Sequence, residues 1–367
     1  MKKFEIFLVA PPGLEKPLAE EVRNAGFSKP KMMPGGVRFR GNWTDVWRAN
    51  LELRGSVKVL ARVGSFSAMS LEALEKRSKD LSWGQVLRSE IPIKVDVTCR
   101  KSKIYHAGAA AERIGKALSD EMGITISSSA NVTVKTRIED NRVTFSLDTS
   151  GERLHKRGNK EAVAKAPMRE SMAALFLRQM GFDGSQPVFD PMCGSGTFPI
   201  EAAEIAAGLA PGRSRRFAFE QLASFDAAIW SSMRQIGTRC IPEQKFFGSD
   251  RDAGAIAMAK GNASRASVSE FTCFSQLNAT DILPPTDTPG IVIVNPPYGT
   301  RIGNKKHLYS VYAGLGAALK AHFHKWHVGL ITTETGLARA SGLPFEEPGP
   351  PVAHGGLKVR LFKCYLP

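Results

Sequence analysis

The stretch that most restricts what this chain can fold into runs from Pro187 to Ala203. Val188 and Phe189 read as the end of a short buried strand. Asp190 closes it, Gly194 and Gly196 supply a turn without Cβ atoms, and Phe198 to Ala203 open a helix. Two glycines let the backbone take positive φ and let a ligand come close. A strand, a tight glycine turn and a helix N-terminus together make a site for an anionic or zwitterionic ligand at the C-terminal edge of a parallel sheet. The spacing is Gly-x-Gly, with neither the third glycine of a dinucleotide fingerprint nor the Gly-Lys-Ser/Thr of a P-loop. This edge is built for something other than NAD or ATP.

Further on, Ile291 to Val294 are four apolar β-formers, the pattern of a strand buried on both faces. Asn295, Pro296, Pro297, Tyr298 and Gly299 follow, and the two prolines stop the strand because neither can donate to a ladder. The pair of motifs resembles the class I, S-adenosylmethionine-dependent amino-methyltransferases. There Asp-Pro-x-Cys-Gly-Ser-Gly-Thr holds the methyl donor, and Asn-Pro-Pro-Tyr holds the exocyclic amine that receives the methyl. The resemblance implies donor binding by Asp190, Pro191, Cys193, Gly194, Ser195, Gly196 and Thr197, and catalysis at Asn295, Pro296, Pro297 and Tyr298.

Between the two motifs, Phe246 to Asp250 reads as a second core strand and Ala253 to Ala266 as the helix after it. An acid ending the strand that follows a glycine loop is the expected partner of ribose hydroxyls. Asp250 takes that role, with Arg251 beside it, although such an aspartate can also be only a helix N-cap. After a strand at Cys273 to Gln276, related methyltransferases place Asp-Ala, the carboxylate meeting the adenine amino group. This chain has Asn278 there and Asp281 beyond it. An amide oxygen accepts from that amine as well, so either residue can be the contact.

The chain has 367 residues, enough for two or three domains each with its own core. No apolar run approaches the roughly 20 residues of a membrane span. Phe4 to Ala10 is interrupted by Glu5 and followed by Pro11 and Pro12, so a first strand is expected rather than a signal peptide. The five cysteines are odd in number, widely spaced and never in Cys-x-x-Cys order, which predicts reduced thiols, a cytoplasmic setting and no zinc site. His322, His324 and His327 do not stack on one helix face, and a solvated helix end is expected there.

Net charge is +15, and residues 1 to 160 hold 29 basic against 18 acidic residues, a net of +11. The charge therefore sits on the part that lacks the methyl-transfer motifs, which points to a separate module gripping a polyanion. Strands at Ile91 to Cys99, Asn131 to Ile138 and Arg142 to Leu147, with an amphipathic helix at Ala107 to Met122, resemble the THUMP domain of RNA-modifying enzymes. Arg100, Lys101 and Lys103 at a strand end, and Arg301 after the Asn-Pro-Pro-Tyr loop, are the expected RNA contacts. Lysines at a strand edge also serve to discourage aggregation.

Leu154, His155 and Arg157-Gly158, then Ala166-Pro167 and Glu170, precede the glycine loop. This segment resembles the THUMP-domain guanine-N2 methyltransferases of ribosomal RNA, in which an entry helix packs under the cofactor. His155 is expected to be a linker residue rather than a base.

The expected fold is α/β. A Rossmann-like class I methyltransferase domain with a seven-stranded, mostly parallel sheet (156–367) follows a ferredoxin-like lobe (1–55) and a THUMP-like RNA-binding domain (56–155). The expected activity is S-adenosylmethionine-dependent methylation of guanine N2 in RNA, 23S ribosomal RNA foremost, with no membrane and no obligate protein partner. The alternatives are an N6-adenine methyltransferase on DNA or RNA, a transfer RNA guanine-N2 methyltransferase, and a non-catalytic RNA-binding assembly factor.

Overall fold

The computed structural model describes residues 3–161, 168–235, 240–298 and 305–367. The chain divides into two compact units. Met1–Ala10, Glu21–Leu154 and Arg215–Ile236 form the first, and Pro11–Glu20, His155–Ser214 and Gly237–Pro367 form the second.

The first unit is built on one sheet of seven strands: β1 (Phe4–Val9), β2 (Lys31–Met33), β3 (Gly36–Gly41), β4 (Lys58–Ser67), β5 (Ile93–Arg100), β6 (Val132–Glu139) and β7 (Arg142–Asp148). Their spatial order is β2-β3-β1-β4-β7-β6-β5. Every neighbouring pair is antiparallel except β5 and β6. β4 pairs with β1 on one side and β7 on the other, so the strands of residues 1–55 and 56–155 share a single sheet.

Local signals set its elements. Asp140 and Asn141 turn the β6–β7 hairpin with φ of +50° and +61°, a conformation their short polar side chains tolerate. Among the helices α1 (Glu15–Asn24), α2 (Trp43–Glu52), α3 (Leu71–Lys79) and α4 (Ala107–Met122), the last stops at Gly123, whose φ is +68°. Asn42 and Asp45 close a capping box on α2. The excursion that carries α7 (Ala227–Gln235) packs within this unit. There Phe219 lies 6.0 Å from Trp47 and 5.0 Å from Trp230, and Ala223 N–H bonds Val86 O at 3.1 Å.

The second unit holds α5 (Glu170–Gln179), β8 (Val188–Asp190), α6 (Thr197–Ala206), β9 (Phe246–Asp250), α8 (Ala253–Arg265), β10 (Thr272–Gln276), β11 (Ile291–Val294), α9 (Lys305–His322), β12 (His327–Thr332), α10 (Thr335–Ala340), β13 (Val352–His354) and β14 (Leu357–Tyr365). The strand order is β10-β9-β8-β11-β12-β14-β13. The first five are parallel to one another, and β14 runs antiparallel to β12 and β13. This is the seven-stranded, mostly parallel sheet expected of a Rossmann-like methyltransferase.

Helices cover both faces of a parallel sheet, which favours apolar central strands, and all four residues of β11 are buried. The α9 side chains Leu308, Tyr312, Leu315, Leu319 and Phe323 recur at helical spacing. They close a core with Val292, Val294, Val328 and Leu330. Each such fully buried side chain contributes roughly 1.5–3 kcal/mol.

Candidate active site

Parallel strands end on the same edge, and the topology therefore gathers four loops. Ile291 pairs with Val188 and Val292 with Phe189, so the loop after Asp190 and the loop after Val294 leave neighbouring strands. Asp190 pairs with Gly248 on the other side of β8, and Asp250 with Gln276 one strand further on. The glycine turn, Asp250, Asn278 with Asp281, and Asn295 to Tyr298 thus leave four adjacent strand tips.

The glycine turn is held from several sides. Cys193 N–H donates to Ser249 O at 2.9 Å, Gly196 N–H to Cys193 O at 2.8 Å, and Asn262 Nδ2 to Ser195 O at 3.0 Å. Gly196, with φ of +84°, starts α6. A Cβ there would meet Ala259 Cβ at 3.0 Å and the Phe274 ring at 3.1 Å, so the position demands glycine on both conformation and space. Cys193, Ser195 and Thr197 are buried, while Met192 and Gly194 stay half-exposed. What the turn offers a ligand is therefore chiefly backbone.

Two carboxyls shape this tip. Asp190 is 3% exposed and accepts Met192 N–H at 3.1 Å. Burial pushes its pKa up to about 8, against the Met192 N–H, with the charge of Asp250 adding to the rise. Asp250 accepts Gly194 N–H at 3.0 Å and Asp252 N–H at 3.0 Å, one on each oxygen. A carboxylate has about four lone-pair sites, so Asp250 keeps acceptor capacity for a diol. Burial, reinforced by Asp190 and Asp250, pushes the Cys193 thiol up, so it supplies no thiolate nucleophile.

The neighbouring tip is uncharged. The Asn295 Oδ1 atom is buried and has no hydrogen-bond partner among the described residues. Buried polar atoms are paired as a rule, and an orphan acceptor at a strand tip calls for a donor from outside the chain. Tyr298 packs against the α9 core on one side and stays half-exposed, its phenol pushed up to about 12 by burial and so neutral. The Tyr312 hydroxyl, from α9, donates to Pro297 O at 3.3 Å and shares a 3.0 Å bond with Thr332 Oγ1 at the end of β12. Neither Tyr312 nor Thr332 shows in the sequence as a site residue, because a tyrosine on the apolar face of a helix reads as core.

Past β10, Asp281 is committed within its own loop. Its carboxylate accepts from Thr280 Oγ1 at 2.9 Å and from Asn278 Nδ2 at 3.2 Å. The Asn278 side-chain oxygen has no such engagement among the described residues, and the residue is exposed. Arg251 is exposed, and its backbone carbonyl accepts from Gln276 Nε2 at 3.1 Å.

In the first unit Arg100, the last residue of β5, and Lys101 and Lys103 just beyond it are exposed. Their loop is pinned to the β6–β7 hairpin by Lys103 N–H to Asn141 Oδ1 at 2.8 Å and Asn141 N–H to Ser102 Oγ at 3.0 Å. Arg301, Ala166, Pro167 and Gly299 lie outside the described residues. No helix among the described residues is long and apolar enough to cross a membrane.

The donor implied by this edge, S-adenosylmethionine, presents a ribose diol and an amino-acid end, and the residues present fit it. Asp250 offers oxygens to hydroxyl donors, and the glycine turn offers a surface free of Cβ atoms.

Comparison with known proteins agrees. Residues 157–344 match the family described as "RMKL-like, methyltransferase domain", and residues 5–60 match the "RlmL ferredoxin-like domain". The chain is 31% identical to the "Putative RNA methyltransferase" of Synechocystis over 96% of its own length and 94% of that protein. It is 32% identical to the "Ribosomal RNA large subunit methyltransferase K/L" of Vibrio cholerae over 88% of its own length, spanning 48% of that protein. Among solved structures, "a putative methyltransferase complexed with SAH" superposes with a TM-score of 0.90 at 26% identity, covering 100% of this chain and 99% of the other. With a family match over half its length, this chain belongs to the RMKL-like methyltransferases, whose methyl donor is S-adenosylmethionine.

Proposed function

We propose that this protein transfers a methyl group from S-adenosylmethionine to the exocyclic N2 amine of a guanine in RNA, with large-subunit ribosomal RNA as the substrate and the cytoplasm as its setting. One observation carries the reading: the buried Asn295 Oδ1, without a partner among the described residues, stands at the tip of the strand next to the glycine turn. RNA as substrate is supported by the names of the Synechocystis and Vibrio cholerae relatives and by the basic residues 1 to 160. We assign residues 1–55 to a ferredoxin-like lobe, 56–155 to RNA binding through Arg100, Lys101 and Lys103, with Arg301 as a further contact, and 156–367 to catalysis.

When bound, the donor supplies a methyl carbon that is already electrophilic, so the chain's work lies in orientation. Asp250 holds the ribose hydroxyls, Asn278 accepts from the adenine amine, and Asp190, Pro191, Cys193 to Thr197 and Arg251 shape the surround, while Asp281 braces Asn278. An aromatic exocyclic amine is a weak nucleophile because its lone pair is delocalised into the ring. Asn295 Oδ1 and the Pro296 carbonyl each accept one amine hydrogen, which favours a pyramidal nitrogen with its lone pair free. Pro297 stiffens the loop, and the half-exposed Tyr298 is the platform for a base splayed from its helix. The proton released after transfer goes to water.

The test is to treat ribosomal RNA from a strain lacking the enzyme with the protein and radiolabelled donor, then digest it to nucleosides. The label is expected in 2-methylguanosine. Label in 6-methyladenosine overturns the guanine assignment, and label in added DNA or transfer RNA alone overturns the substrate.

A further inference from the structure

The Asn295–Tyr298 loop has an anchoring problem. Pro296 and Pro297 have no N–H, so at these positions the loop cannot tie itself down with its own amide donors. An acceptor that must be aimed at one amine hydrogen needs a rigid frame, and here the frame comes from another element. Tyr312 is a fully buried α9 residue at 0% exposure, locked by Leu308, Leu315 and Leu319 around it. Its hydroxyl reaches the Pro297 carbonyl at 3.3 Å and Thr332 Oγ1 at 3.0 Å. The phenol has one proton and both oxygens stand as its acceptors, so it serves the Pro297 carbonyl and Thr332 Oγ1 between them. β11 and β12 are adjacent and parallel, so this one hydroxyl bridges the two strand tips that flank the acceptor position. Burial pushes the phenol above its ordinary pKa, so it remains a donor at every working pH.

We propose that Tyr312 is a positioning residue for methyl transfer: through its bond to the Pro297 carbonyl it fixes the loop that aims Asn295 at the acceptor amine. The inference rests on the acceptor role given to that loop, and not on which base is methylated. A misaim on the ångström scale is enough to slow an oriented transfer by about 100-fold. The core slot needs the ring, while the loop needs only the oxygen, and the two can be separated by a single substitution.

Tyr312→Phe keeps the ring and removes the hydroxyl. Total label transferred in a single turnover, whichever nucleoside carries it, is expected to appear about 10- to 100-fold more slowly. Calorimetric affinity for S-adenosylmethionine is expected to stay at the wild-type value, and hydrogen exchange is expected to quicken in the peptide containing Asn295 and Tyr298. In an Asn295→Ala background the same substitution should slow the rate by a smaller factor than in the wild type, because one of the groups it positions is gone. A wild-type rate for Tyr312→Phe overturns the proposal. So does an undiminished loss in the Asn295→Ala background, or a rate loss matched by an equal loss of donor affinity, which marks a general fault in the fold. If the wild-type protein methylates no RNA, the proposed function fails on its own, and the exchange experiment still decides: unchanged exchange overturns the anchor, and faster exchange upholds it.

Discussion

The tips of β8 and β11 stand side by side and are chemically opposite. One carries Asp190 and reaches Asp250 across Gly194 N–H, a place of acids and backbone amides. The other has Asn295, two prolines and two neutral phenols, and no ionised side chain from Asn295 to Tyr298. Under the proposed function the difference follows from what each tip would hold. A diol and an amino-acid end are recognised by charge-assisted hydrogen bonds. A weakly nucleophilic amine needs neutral acceptors that align it without protonating it. Adjacent strands let one edge do both without mixing the two environments.

If the division holds, the tips can be damaged separately. The largest effect is expected from Asn295→Ala. Removing one preorganised hydrogen-bonding group aimed at a transition state costs about 10²–10³ in rate, and single-turnover methyl transfer is expected to fall by that factor. Near wild-type transfer would make the uncharged tip a mere strand end. Next is Gly196→Ala on the other side. The residue would hold a side chain at φ of +84° with Ala259 Cβ at 3.0 Å. The left-handed conformation alone costs about 1–2 kcal/mol, which should lower the thermal midpoint and weaken donor binding. An unchanged midpoint would show that the turn is not held as described.

A further effect, read on stability and not on transfer, is a pH dependence at Asp190. Its folded pKa of about 8 lies above the usual 3.8, so burial favours the protonated form. That contribution is fully present below pH about 4 and is lost as pH rises through about 8. Urea denaturation of the donor-free protein should therefore show stability falling over that window, and Asp190→Asn should remove the fall. A slope that survives in the variant assigns it to other groups.

Much of this edge was legible in the chain because strand ends and turns obey short-range rules. Asp190, Gly194, Gly196 and Asp250 sit where a glycine turn and a strand-closing acid predict, and Ile291 to Val294 form the buried strand that their β-branched run implies. The same local logic found α4 and the hairpin turned by Asp140 and Asn141. Long-range pairing was not legible. Nothing in the spacing of Tyr312 and Thr332 joins them to Pro297, since the link depends on β11 and β12 becoming neighbours. The return of Arg215–Ile236 to the first unit likewise depends on Trp47 meeting Phe219, residues far apart in sequence. Charge composition gave the basic half but not which cations act, because Arg100 faces Glu139 at 3.7 Å while Lys101 and Lys103 are set by a loop geometry visible only in three dimensions.

The separation of the two tips is tested most directly by one titration of S-adenosylmethionine into Asp250→Ala and Asn295→Ala proteins, read by calorimetry. Losing the charge-assisted bonds of Asp250, each worth about 1.5–3 kcal/mol, should weaken binding by roughly 10- to 100-fold, while Asn295→Ala binds as wild type. Equal weakening in both variants would contradict the account, because the two loops would then form one undivided surface.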